Sequence, residues 1–249
     1  MIDHRFPGAL TESDYVDALN DALHRARCRP DDTLVAATVC RDELSRSLVR
    51  RLEDTWGPVF DLSGLAGIPS GGATALGAAL AHRPEADGRS RIVLVGMSHV
   101  GVDGGGTIGR VRRRGMTWAA PTCGSLSGVA DALASGTVRR AGSDDLDEEQ
   151  IRVERRIQAR GRELPAYLGD LAGLAGLALA CIEDDLEALT RRLAPGGDHR
   201  AAARPLAGID GALFTGVHIH RFPESDLVWP SRSVIDIGAA VQEDVITPA

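Results

Sequence analysis

Residues 91–95 read RIVLV, an unbroken β-favouring apolar run, and this stretch constrains the fold more than any other. A strand with one wet face alternates polar and apolar residues. One that is apolar on both faces belongs in the middle of a parallel sheet covered by helices on each side. The neighbouring segments fit that setting. Residues 33–39 form a second apolar β-rich run and 59–62 a third. Between them Leu44, Leu48, Leu52 and Trp56 recur at helical spacing over 42–56, with Gly57 as a stop. A small-residue helix is predicted over 73–82. Upstream, 11–26 reads as an amphipathic helix with Val16, Leu19 and Leu23 on one face and Thr11 as its N-cap, ended by Pro30. Downstream, the pattern predicts a strand over 116–120 and a helix through Val129 and Leu133. Helices over 146–160 and 164–193, a loop over 195–206 and late strands over 212–221 and 233–237 complete it. Strands alternating with helices predict an α/β sheet with helices on both faces and an N-terminal helix.

Size and charge narrow the function. A chain of 249 residues, 43% hydrophobic, can bury one full core, so a single domain over 1–249 is expected. Within it, 1–30 is an N-terminal helical segment, 31–135 the core that carries the chemistry, 136–210 a helical region and 211–249 the C-terminal strands. A net charge of -7 argues against a protein that tracks phosphates, which needs clustered excess cation. The best basic cluster, Arg110 with Arg112 to Arg114, is short and local. The first residues lack the basic start and apolar run of a signal peptide, and the greasy stretch from Leu171 is shorter than the roughly 20 residues a bilayer demands. A cytoplasmic protein is therefore expected, and four cysteines without close pairs suit a reducing compartment.

In open α/β sheets, ligands bind beyond the carboxyl ends of the strands. Cys40 follows the first predicted strand, His99 the RIVLV strand and Cys123 the 116–120 strand. Two thiols and an imidazole match a catalytic zinc set, in which three protein ligands leave a position for water. A cysteine after a strand is more often a small buried hydrophobe, and these spacings contain no tight ligand pair, so the residues alone leave the two readings about even. His218 and His220 alternate on one strand face and offer a rival metal site, or one pocket group and one structural group. GIPSGG and VDGGG lack a phosphate-loop pattern. Gly71, Gly72 and Gly104 to Gly106 are read as close-packed backbone near the metal. Cys28 and Cys181 sit in helical contexts and are expected to be inert.

Longer motifs carry a resemblance. CRDE from Cys40, GLAGIPSGGATALGAA from Gly64, SHVGVD from Ser98, GxxGRVxRxG from Gly106, CGS from Cys123 and FTGVHIH from Phe214 resemble the limiting-CO2-inducible protein B/C family, the theta carbonic anhydrases. The resemblance is dense over 33–127 and thin over the C-terminal strands. It implies a β-carbonic-anhydrase-like α/β fold, a homodimer, and a zinc ion held by Cys40, His99 and Cys123. It also implies zinc-dependent hydration of CO2 to bicarbonate by a metal-bound hydroxide, while charge and hydropathy predict no nucleic-acid or membrane partner. Asp42 then accepts a hydrogen bond from the water, and Arg41 holds that carboxylate by a bidentate fork. Without the resemblance, Arg41 and Asp42 are an ordinary acidic helix start. Two other functions compete: a non-catalytic homologue that senses inorganic carbon or binds a partner, and a cysteine hydrolase with Cys40 as nucleophile and His99 as base. The hydrolase leaves Cys123 without a role. A nucleoside deaminase is disfavoured because PTCGS lacks paired cysteines.

Overall fold

The computed structural model describes residues 2–160, 167, 170–193, 204–238 and 240–246. A short helix α1 (Ile2–Arg5) and strand β1 (Leu10–Thr11) lead into α2 (Glu12–Arg25), where the Thr11 side chain caps the helix by accepting the Asp14 amide. Strand β2 (Thr33–Thr38) follows, then a 3-10 turn at Glu43–Ser45 and α3 (Arg46–Trp56), which stops at Gly57 with φ of 78°. The helix predicted over 42–56 thus starts late, because the Asp42 carboxylate accepts the Leu44 amide and caps the 3-10 turn instead. Next come β3 (Phe60–Asp61), a second 3-10 turn at Leu65–Gly67, α4 (Gly72–Ala81) and β4 (Arg91–Gly101). A hairpin of β5 (Arg110–Arg112) and β6 (Ala119–Pro121) precedes α5 (Gly124–Ser135), α6 (Glu148–Ala159) and α7 (Leu171–Leu193). Strands β7 (Gly211–His220), β8 (Leu227–Ile237) and β9 (Ala240–Glu243) close the chain.

The main sheet runs β1-β8-β7-β4-β2-β3, with β9 beside β8. Strands β3, β2, β4 and β7 are mutually parallel, whereas β1, β8 and β9 pair antiparallel. β4 lies between β2 and β7 and is buried along its whole length, as RIVLV requires. It runs six residues past Val95, so His99 sits inside the strand rather than after it. Gly96 and Ser98 look like loop residues in sequence. The structure uses the bare Gly96 to admit a helix, since a Cβ there would lie 2.7 Å from Ile182 on α7.

Helix α7 covers one face of the sheet against β4 and β7, with α4, α5 and α6 around it. On the other face, Tyr15, Leu19 and Leu23 of α2 join Leu48 and Leu52 of α3 over Val35, Val93 and Phe214. In α7, Leu174, Ala175, Leu177, Ala178, Leu179 and Ile182 are all buried within the chain. Its wide apolar face is consumed inside the protein. The first residues of the helix predicted over 164–193, at 164–166 and 168–169, and most of the 195–206 loop lie outside the described residues. Among the described residues no helix is long and apolar enough to cross a membrane.

Candidate metal centre

Cys40, His99 and Cys123 come together from the segment after β2, from inside β4 near its end, and from the turn after β6 of the separate hairpin. Cys40 lies two residues past β2 and bridges in parallel to Gly64, His99 projects from β4, and Cys123 is the N-cap of α5. The two sulfurs and an imidazole nitrogen all lie within 4.8 Å of one another, on residues 5% exposed or less. Local structure fixes each sulfur. The Leu126 amide at the start of α5 approaches Cys123 Sγ at 3.5 Å, and the Asp42 amide donates to the Cys40 sulfur. Close packing beside Cys123 depends on Gly101 at the end of β4. A Cβ there would stand 2.0 Å from Thr122 Oγ1 and 3.0 Å from the Arg110 carbonyl oxygen.

The electrostatics fit a cation. A hydrogen bond from Cys123 pulls the Cys40 thiol down to about 4, against the effect of burial and with help from His99. The same bond pushes Cys123 up. Two buried thiols that share one proton hold one negative charge, and a divalent ion would displace the second proton. Both ring nitrogens of His99 are buried without a hydrogen-bond partner. An orphaned imidazole between two sulfurs is costly in an empty protein interior and is satisfied by a metal. Cys28 and Cys181 lack such company, and burial pushes both thiols up, in keeping with inert cysteines.

The carboxylate beside this group is held differently from the way the resemblance implies. Asp42 Oδ2 accepts from Arg113 Nη2 at 2.9 Å, while Arg113 Nε donates to Glu43 at 2.6 Å. The same guanidinium reaches the Pro121 and Thr122 carbonyls at 2.9 and 3.1 Å, immediately before Cys123. Arg41 turns away, with Nη1 at 2.7 Å from Glu149 Oε2 and further bonds to the Ser63 carbonyl and Ser70. The reason is steric order along the chain. The bend that aims Cys40 inward puts the adjacent Arg41 side chain on the opposite side, toward α6, while β5 brings Arg113 back across Asp42. Burial raises the Asp42 carboxyl in spite of Arg113. Arg113 belongs to the short basic cluster from Arg110 to Arg114, and nothing in its sequence context ties it to Asp42. Gly104 to Gly106 also differ from expectation. They form an open turn with space around Gly104 and Gly106, not close-packed backbone.

A small cavity of about 10 Å³ opens beside His99 and Cys123, lined by Val100, Thr122, Leu126 and Leu171. Beside the His99 ring and the Cys123 sulfur, Val100, Leu126 and Leu171 make the walls apolar, and the Thr122 hydroxyl is buried with no hydrogen-bond partner. Behind His99 stand two more histidines. The His220 ring meets His99 edge-on at 5.3 Å between centroids, and His218 lies 4.2 Å beyond it. Burial pushes the His220 imidazole down to about 3, so it is neutral.

The fold has counterparts among known proteins. The chain resembles the crystal structure of PtLCIB4, a homolog of the limiting CO2-inducible protein LCIB, with a TM-score of 0.80, 26% identity and 97% of each chain covered. It resembles limiting CO2-inducible protein LCIB itself with a TM-score of 0.75 and 25% identity over 98% of this chain and 97% of that one. No curated protein matches in sequence. The family described as limiting CO2-inducible proteins B/C, beta carbonic anhydrases, matches residues 9–236, nearly the whole length. By that match the chain belongs to the limiting CO2-inducible protein B/C family of beta-type carbonic anhydrases.

Proposed function

We propose that the protein hydrates CO2 reversibly to bicarbonate with one zinc ion held by Cys40, His99 and Cys123. The observation that supports this most is the convergence of two sulfurs and an orphaned imidazole within 4.8 Å, beside a carboxylate clamped by an arginine. Zinc in such a set supplies an open position where water is acidified. Two thiolates and a neutral imidazole leave it without net charge, so the water needs help from the protein.

Asp42 provides that help. Its Oδ1 is committed to the Leu44 amide and its Oδ2 to Arg113, which fixes the carboxylate plane where it would accept a hydrogen bond from the water and orient it toward CO2. In this reading Arg113 is the positioning residue for which the resemblance implied Arg41. Val100, Leu126 and Leu171 suit apolar CO2 and exclude bulk water, while the Thr122 hydroxyl offers a bond to a bicarbonate oxygen. A binding role without turnover draws on one feature of the same cavity. Its volume of about 10 Å³ is close to that of a single water, and CO2 needs it to widen. A stopped-flow CO2 hydration assay on zinc-loaded protein separates the two. Catalysis well above buffer that disappears in Asp42→Asn with zinc retained supports the enzyme, and tight zinc binding without hydration supports the binding role.

A further inference from the structure

His218 and His220 end β7 on one face of the strand, both 1% exposed or less. Two carboxylates meet them. Asp226, ahead of β8, places Oδ2 2.8 Å from His220 Nδ1 and 3.6 Å from His218 Nε2. Glu12, the first residue of α2 and only 6% exposed, places Oε2 2.9 Å from the same His218 nitrogen. Each carboxylate is anchored through its other oxygen. Asp226 Oδ1 accepts the Arg221 amide at 2.9 Å, and Glu12 Oε1 accepts Arg51 Nε at 2.7 Å, with Ser47 adding a bond to Oε2 at 2.6 Å. A cleft of about 360 Å³, lined in part by Glu12, Ser47, Arg51 and Asp226, leads in from solvent.

A plain hydrogen-bonded network accounts for His220 Nδ1 but leaves His220 Nε2 and His218 unpaired. Neither ring nitrogen of His218 has a hydrogen-bond partner, although a carboxylate oxygen stands 2.9 Å from Nε2. The oxygen is close but off the N–H direction. Two ligands of one ion have this relation, since each sits roughly 2.1 Å from the metal and neither points at the other. Leaving such an imidazole unsatisfied costs on the order of 1–3 kcal/mol. An ion shared with Glu12 and Asp226 removes that penalty.

We infer that His218, His220, Asp226 and Glu12 form a second metal site, distinct from the Cys40, His99 and Cys123 group, for a divalent transition ion of the zinc type. Two imidazoles and two carboxylates without sulfur select borderline ions that accept nitrogen and oxygen together. The anchored carboxylates are the outer-shell support such sites carry. The ion would tie the start of α2 to the end of β7 and the approach to β8, and it would stand behind the His99 and His220 rings. The inference does not depend on CO2 chemistry.

Cobalt(II) titration of the metal-free, full-length protein tests it, because thiolate ligands give an intense near-ultraviolet charge-transfer band that nitrogen and oxygen ligands lack. The wild-type protein should bind two equivalents, one with that band and one with weak visible transitions alone. Asp226→Asn and Glu12→Gln should each lose the second equivalent and keep the thiolate band, which also reports that the fold survives. Arg51→Ala should weaken the second equivalent by about ten- to a hundredfold. A single equivalent in the wild-type protein carrying the thiolate band, or two equivalents retained in both variants, overturns the inference. An equivalent without the thiolate band that is lost in Asp226→Asn upholds it even if the cysteine group binds nothing.

Discussion

Replacing Arg113 with alanine should separate structure-based from motif-based readings of the site. The side chain is 18% exposed and its partner Asp42 13%, so the pair is mostly but not fully desolvated. Breaking a fully buried pair costs roughly 3–5 kcal/mol. Partial exposure and the surface position of Glu43 reduce this, and about 2 kcal/mol is expected from a urea melt. Function should suffer more than stability. The Asp42 carboxylate loses the group that fixes Oδ2, and the Pro121 and Thr122 carbonyls before Cys123 lose their donor. A misplacement of about an ångström at a reacting group costs on the order of a hundredfold in rate, and a fall of that size in CO2 hydration with zinc retained is the expected result. Arg41→Ala is the counterpart. Its guanidinium is 53% exposed and its bond to Glu149 is worth less than ~1 kcal/mol, so melt and rate should stay near the wild type. Wild-type turnover in Arg113→Ala together with a collapsed rate in Arg41→Ala would refute the reasoning and restore the fork to Arg41.

Gly101→Ala should push Thr122 away from β4, with an overpacking cost of about 1–3 kcal/mol and weaker zinc retention against a chelator; unchanged retention would show that the close approach is dispensable. Asp32 is buried beside Arg91 at 3.1 Å, and although burial works to raise its carboxyl, Thr33, the Arg29 amide and two arginines hold it below the ordinary value. Its stabilisation is therefore full above the unfolded value of about 3.9 and is lost as pH falls through the lower folded value. Asp32→Asn should lower stability at neutral pH by roughly 3 kcal/mol and flatten the acid limb of the wild-type stability curve, as read by melts across that range. The family likeness leads us to expect a homodimer, for which light scattering should give twice the 26.3 kDa chain mass, and a species of 26.3 kDa alone at micromolar concentration counts against it.

The sheet was legible where one rule decides. RIVLV is apolar at every position, and only a strand covered on both faces accepts that. The reach of β4 to Gly101 was not legible, because Gly96 and Ser98 have the local preferences of a loop and are held in the strand by pairing with Thr38, Thr215 and Val217. Cys40 and His99 lie on the neighbouring parallel strands β2 and β4, so their order relative to strands singles them out, whereas Cys123 arrives from a separate antiparallel hairpin. The partner of Asp42 could not. Arg41 is next in sequence, but neighbours in an extended segment point apart, and the arginine that arrives comes from a hairpin 71 positions away. Glu12 escaped for the same reason, reading as an ordinary acidic first turn of α2 until β7 laid His218 against it. The breadth of α7's apolar face was visible, but not that the sheet and the neighbouring helices consume it.

The most direct test of the central claim is the exchange of a heavy-oxygen label out of CO2 at chemical equilibrium, followed by mass spectrometry on zinc-loaded protein. This reads CO2–bicarbonate interconversion without requiring net proton release to the buffer. Zinc-loaded wild-type protein should deplete the label far faster than buffer, and Cys123→Ser should return the rate to the uncatalysed value. Depletion at the buffer rate by protein that carries zinc on Cys40, His99 and Cys123 would contradict the account.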